Sequence, residues 1–366
     1  MRVGLIIYGT LDTLSGGYLY DRKLVEYLRG CGDSVEIFSL PWRSYAGRLA
    51  QNLSTGLSQR LKAAQLDVLL QDELNHPSLL RLNRQLRGHL SYSTVSIVHH
   101  LHSSEAHARG AQEFYTWIER QYLRSVDAFI CNSETTRRAV SAVLDRSELA
   151  RSVVAYPAGD RFATHLTLEQ IQQRANRSGP LRVAFVGNLI RRKGLLILLE
   201  ALLKLPAGTC QLTVVGNTNL DALHMRVVYH LLMVTQLSGV TLTGIVTDDE
   251  LATILAQSDV LVVPSEYEGF GIVYLEGMSF GLPAIGTTCG GVREIIADGV
   301  NGYLVPPNDP AMLADRLRML ATDRTRLSQM SLAARETFLA WPSWHVSMAR
   351  VRQALLAWGD TLKPVD

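Results

Sequence analysis

Residues 259–291 read DVLVVPSEYEGFGIVYLEGMSFGLPAIGTTCGG. DVLVVPS is a short, continuous apolar run of the kind a strand buried on both faces requires, and Pro264 helps to end it. Glu268-Gly269-Phe270-Gly271 then forms a loop, and IVYLEGMSFG continues at helical spacing up to Gly281. LPAIGT is a second buried run, so the stretch reads as a βαβ unit. The amides at the start of such a helix are unsatisfied and lie at the positive end of its dipole, which suits a phosphate. Glycines there let a ligand approach the backbone. Glu276 falls about 7 Å along the helix from Gly271 at ~1.5 Å per residue, a fitting offset between a phosphate and the ribose hydroxyls of one nucleotide. A carboxylate accepts two hydrogen bonds from a ribose diol. Glu268, in the loop, faces whatever extends beyond the phosphate.

The same alternation runs through the rest of the chain. RVGLIIYG, SVEIFSL, LDVLLQ, TVSIVHHL, DAFICNS and SVVAYP occupy the first half; LRVAFVGN, CQLTVVGN, VTLTGIV and GYLVPP join the opening runs in the second. Interleaved helices make this an α/β protein with two Rossmann-like, doubly wound domains. At 366 residues the chain suits two domains of ~150 residues or more. The expected boundaries are 1–158 for the first domain, 159–180 for a polar linker, 181–340 for the second domain and 341–366 for a final helix. Ligands in such sheets bind beyond the carboxyl ends of the strands, so post-strand loops should carry the chemistry.

Bulk properties exclude several classes. A hydrophobic content of 47% marks a packed globular chain, and a net charge of +2 gives no footprint for nucleic acid. Cys31, Cys131, Cys210 and Cys289 form no CxxC pair, which argues against zinc or a disulfide framework. The first apolar run is too short for a signal peptide, and no window approaches the ~20 apolar residues of a membrane span. The expectation is a cytoplasmic protein, at most peripheral on the inner face of a membrane. Arg43, Arg48, Arg60 and Lys62 lie in an acid-free segment, and Arg81, Arg84 and Arg87 follow at helical spacing. A solvated helix face accounts for them; a weak membrane contact, or an anionic acceptor, is the sharper alternative.

PSEYEGFGIVYLEGMSFGLPAIGTTCGGVREIIADGVNGYLV closely resembles the signature of the family 4 glycosyltransferases, retaining enzymes of the GT-B fold, and Glu268 and Glu276 match their E-x7-E motif. The resemblance implies two domains facing a central cleft, with the last helix crossing back to the first. It further implies metal-independent transfer of a hexose-type sugar from a nucleotide sugar to a hydroxyl, giving an α-linkage, with no cofactor beyond the donor. VGNLIRRKGL is similar to the family's basic loop for the donor pyrophosphate, which assigns Lys193 and Arg192 to the departing diphosphate; Asn188 stands where many members have arginine. Gly16 and Gly17 match the family's Gly-Gly loop near the donor phosphates and acceptor, and His99 its histidine facing the donor sugar. Glu268 and His99 would hold sugar hydroxyls, neither acting as a nucleophile. The amides of Gly269, Phe270, Gly271, Ile272 and Val273 would serve the phosphate, and Glu276 the ribose. Gly244 to Val246 would offer backbone to the base. Backbone recognition leaves uracil, guanine and adenine hard to separate; the partner adopted is a UDP-sugar ahead of a GDP-sugar. The acceptor is an unidentified hydroxyl compound, lipid-linked or phosphorylated if the basic stretches serve it.

His99, His100, His102 and His107 invite a metal site, but neighbours along a strand end face opposite ways, so no metal is expected there. Ser133 reads as a helix cap. WPSWHVSMARVRQALLAWGD reads as an amphipathic helix with apolar positions at 346, 348, 351, 355 and 356. The rival functions are a catalytically silent nucleotide-sugar-binding partner subunit and a GT-B-fold epimerase.

Overall fold

The computed structural model describes residues 1–53, 55–105, 109–144, 149, 151–164 and 166–361. Each quoted apolar run contains a strand. In the first half these are β1 (Arg2–Tyr8), β2 (Ser34–Leu40), β3 (Val68–Asp72), β4 (Ser93–Val98), β5 (Ala128–Cys131) and β6 (Ser152–Val154). They form a parallel sheet in the order β2-β1-β3-β4-β5-β6. The second half contributes β7 (Leu181–Val186), β8 (Cys210–Val215), β9 (Val240–Gly244), β10 (Val260–Val262), β11 (Ala284–Thr287) and β12 (Gly302–Val305), ordered β12-β11-β10-β7-β8-β9. Every pairing is parallel, for example Leu5 beside Leu70 and Val183 beside Val260.

The inner strands β3, β4 and β5 are buried at every residue, which is why their sequences run apolar without alternating. β9 lies at a sheet edge, and VTLTG alternates between exposed and half-buried positions. Each sheet reverses its winding once. The reversal falls between β1 and β3 in the first and between β7 and β10 in the second, and loops after those strands are the natural ligand positions.

The chain divides into two compact units, 1–157 with 344–366, and 158–343. The final helix, Trp344–Thr361, belongs to the first. It packs on the helix Gly16–Gly30, with Trp344 edge-on to Tyr20 and the Arg352 Nε donating to Asp33 Oδ2 at 2.7 Å. Its buried stripe is Trp344, Met348, Val351 and Leu355. Val346 and Leu356 are exposed, because spacings of four, three and four fix a phase that leaves both off the stripe.

Residues 159–180 are more than a connector. They contain the helix Leu168–Ala175, opened by a Thr167/Gln170 capping box. Ile171 and Ala175 are buried, and Arg174 donates to the carbonyls of Phe280 and Gly281, each at 2.9 Å. So few apolar residues, one turn apart, give a weak sequence signal for a helix that tertiary contacts hold in place.

Candidate active site

The winding reversal of the second sheet brings the basic loop and the glutamate loop together. After β7 the chain makes a tight turn at Arg191–Lys193 and enters the helix Leu195–Leu203 through Gly194, at φ +75°. A Cβ on Gly194 would lie 2.1 Å from the Pro264 carbonyl oxygen, so glycine is required where the two loops cross. Glu266 N donates to Arg192 O at 2.8 Å, and Arg192 Nη1 donates to Tyr267 O at 2.7 Å. Lys193 Nζ donates to Glu268 Oε2 at 2.5 Å, and Ser265 Oγ reaches the same oxygen at 3.1 Å. Burial pushes the Glu268 carboxyl up, but Lys193 and Arg192 outweigh it and hold the group below its ordinary range. Glu268 is therefore an anion fixed beside two cations. The loop after β11 closes on it, with Gly291 N donating to Glu268 O at 2.9 Å.

Gly269 and the buried Phe270 lead to Gly271, which precedes the helix Ile272–Ser279 at φ +96°. Ile272 and Val273 are its first, half-buried residues. Glu276 is 5% exposed, and burial raises its carboxyl despite Arg161, whose Nη1 stands 3.5 Å from Oε1. Arg161 also pairs with Asp248, the first residue of the helix Asp248–Gln257. That helix follows Gly244, Ile245 and Val246 after its cap Thr247, so Arg161 ties Glu276 to the segment after β9. Asn188 lies between β7 and the basic turn, where its carbonyl accepts from Ile190 N at 2.9 Å. Arg161 and Ser265 were missed as site neighbours. Arg161 lies in the polar stretch 159–180, whose composition predicts a linker, and nothing local marks it.

The first unit holds Gly16, Gly17 and His99. Both glycines open the helix Gly16–Gly30, which Ser15 caps by accepting from Tyr18 N at 3.3 Å. A Cβ on Gly17 would stand 3.1 Å from Cδ2 of His99, so the glycine loop and the histidine meet. His99 Nε2 lies 3.3 Å from Asp21 Oδ1. Burial would lower this imidazole, but Asp21, Asp72 and Glu73 overcome it and raise the pKa to about 9. His76 behaves oppositely. Buried, with Nδ1 3.1 Å from Glu73 O and Nε2 3.2 Å from Tyr45 OH, it is lowered to about 4 and stays neutral. Glu73 and Glu119 beside it are pushed up to about 7, burial being the main cause in each.

Histidines neighbouring along a strand end make poor co-ligands, but groups distant in the chain can still meet. Tertiary folding brings other groups together: Asp21, Asp72 and His99, and separately Glu73, His76 and Glu119, each set with ligand atoms within 4.8 Å of one another. His100 and His102 face Glu105 instead, at 3.1 and 3.7 Å. His107 lies outside the described residues. Ser133 caps the helix Glu134–Val143, accepting from Thr136 N at 3.0 Å.

With this geometry in place, comparison with known proteins is decisive for the family. The "Glycosyl transferase 4-like domain" matches residues 15–157, and "Glycosyl transferases group 1" matches residues 180–323. The chain belongs to the GT4-like glycosyltransferases. D-inositol 3-phosphate glycosyltransferase of Corynebacterium diphtheriae is 29% identical over 230 residues, covering 60% of this chain and 53% of that protein. The chain spans about half the length of the curated relatives it matches. Among solved structures, sucrose-phosphate synthase from Thermosynechococcus elongatus aligns with a TM-score of 0.81 at 21% identity, over 98% of this chain and 99% of that one. Anabaena HepE, in complex with UDP-glucose, aligns at 0.74 and 18%, over 98% and 100%. Both likenesses concern the fold, which is that of the GT-B glycosyltransferases. Among the described residues, no helix of this GT4-like chain is long and apolar enough to cross a membrane.

Proposed function

We propose that the chain transfers a hexose-type sugar from a nucleotide sugar, a UDP-sugar ahead of a GDP-sugar, to an acceptor hydroxyl with retention and without a metal. The observation that carries this reading is the crossing of two loops at the winding reversal of the second sheet. It fixes Arg192 and Lys193 beside a charged Glu268, next to the helix start at Gly271. Those cations and the amides of residues 269–273 receive the diphosphate and neutralise the charge that grows as it departs. Glu276 receives the ribose. Glu268 bonds sugar hydroxyls, the role that the family resemblance also gives His99. The acceptor oxygen attacks C1 on the face the diphosphate leaves. The bond from C1 to the phosphate oxygen breaks, the bond to the acceptor forms, and the acceptor proton passes to the released phosphate. Positioning supplies the rest of the rate.

The charged state of Glu268 supports this assignment, because a carboxylate committed to Lys193 and Ser265 is a fixed acceptor of hydrogen bonds and a poor covalent nucleophile. A phosphorylated or lipid-linked acceptor is the class that the exposed Arg43, Arg81 and Arg84 favour.

Thermal unfolding with UDP, GDP and ADP tests the donor side first, since a ligand at a hundred times its Kd adds about 2.7 kcal/mol. A donor panel, read by release of nucleoside diphosphate and by the anomeric configuration of the product, tests the reaction. Binding without release from any donor and acceptor pair would favour the silent-subunit alternative, and an inverted product would remove retention.

A further inference from the structure

Asp21, on the helix Gly16–Gly30, is fully buried, and a carboxylate is seldom taken out of water without a partner. Its Oδ1 faces His99 Nε2 at 3.3 Å, while Oδ2 has no hydrogen-bond partner. Asp72, at the end of β3, brings a carboxylate oxygen within 4.8 Å of both groups, and Glu73 follows it. Among the described residues neither Asp21 nor Asp72 forms an ion pair with lysine or arginine. The cation that answers these carboxylates is the imidazole.

The ring is held on several sides. Tyr20 meets it edge-on at 5.3 Å, Gly17 admits it where a Cβ would crowd Cδ2, and the His99 carbonyl accepts from Thr136 Oγ1 at 3.3 Å. Among the described residues, Nδ1 makes no hydrogen bond to protein, and the side chain keeps 14% exposure. With Nε2–H committed to Asp21, the ring's charge decides what Nδ1 offers. A neutral ring presents a lone pair there; a cationic ring presents an N–H. The pKa of about 9 produced by the surrounding carboxylates places the ring in the second state at neutral pH.

We propose that Asp21 is a positioning residue for sugar transfer, gripping His99 through Nε2–H so that Nδ1–H is presented as a charged hydrogen-bond donor to an oxygen of the donor sugar. The identity of the ligand rests on the glycosyltransferase reading; the state of the ring does not. Three consequences distinguish this pair from a simple structural contact. His99 cannot serve as a general base at neutral pH. Loss of Asp21 changes the ring's charge as well as its position. The resulting defect depends on pH.

The test is a long-range 1H–15N spectrum of the full chain labelled at histidine, with His99→Gln for assignment, from pH 6 to 10. Both nitrogens of His99 should show imidazolium shifts through pH 8. In Asp21→Asn the ring should titrate clearly lower, since it loses its hydrogen-bonded carboxylate and stays buried, with only Asp72 and Glu73 left to raise it. A parent ring already neutral at pH 7.5, or an unchanged titration in Asp21→Asn, overturns the proposal. The parent titration is decisive even if Asp21→Asn does not fold. Kinetics give the second arm. At pH 8.5 about one ring in a hundred would remain charged in the variant if its pKa were ~6.5. Its kcat should then be at least tenfold below the parent and recover as the pH falls, with the donor KM little changed. A loss constant across pH would assign Asp21 a packing role and overturn the proposal. If the parent turns over no donor, the functional reading fails, while the spectra still decide whether Asp21 holds the ring charged.

Discussion

Replacing Lys193 with alanine leaves the Glu268 carboxylate without a partner 2.5 Å away, in a site where the two side chains are only 16% and 12% exposed. Removing one member of a buried ion pair costs ~3–5 kcal/mol because the other charge stays desolvated. Ser265 Oγ and Arg192 remain near Glu268, so the lower end, ~3 kcal/mol, is expected here. For a unit of this size each kcal/mol moves the midpoint by ~2–4 °C, giving a fall of about 6–12 °C in calorimetry. Glu268→Gln added to Lys193→Ala removes the stranded charge and should recover most of that loss. The pH dependence follows the same logic. The folded pKa of Glu268 lies below the ordinary 4.5, so its stabilising share is present above that value and lost as pH falls through the depressed one. Lys193→Ala should weaken this acid-range loss. Transfer should slow by roughly a hundredfold, the usual effect of deleting one preorganised charge-stabilising group. Single-turnover release of nucleoside diphosphate, with enzyme in excess over donor, measures it. Parent-like turnover in Lys193→Ala, or a stability loss that Glu268→Gln leaves untouched, would refute the reasoning.

Glu276→Gln should mainly raise the donor KM, since a ribose contact is made equally in ground and transition states; a 2′,3′-dideoxy donor that loses equal affinity with parent and variant would place the ribose elsewhere. Single-turnover activity should persist in EDTA, because cations and amides take the metal's charge-neutralising role; complete inactivation restored by manganese or magnesium would overturn this. Gly194→Ala forces a Cβ toward the Pro264 carbonyl at a positive φ, so it should cost at least ~1–3 kcal/mol and weaken UDP binding together. A parent-like melting curve and UDP affinity for Gly194→Ala would show that the loop crossing does not depend on this glycine.

The sequence alone determined the strands, their parallel class and the loop that carries Glu268. Parallel strands covered by helices on both faces need continuous apolar runs, so VLLQ, AFIC and VLV announce themselves locally. Glycine at Gly194 and Gly271 is equally legible, because a positive φ at a strand-to-helix turn admits little else. What tertiary structure decided is every partnership between groups far apart in the chain. Lys193 and Glu268 are 75 residues apart and meet only because β7 and β10 are neighbours at the winding reversal. Asp21 reaches His99 across 78 residues, and Arg161 reaches Glu276 across 115. Burial follows the same rule. The stretch 159–180 reads as polar, yet folding buries Ile171 and Ala175. Hydrophobic periodicity is a property of neighbours along the chain. The charge state of His99, Glu268 or Glu276 depends on desolvation and on fields from residues that only the folded sheets bring within a few ångströms.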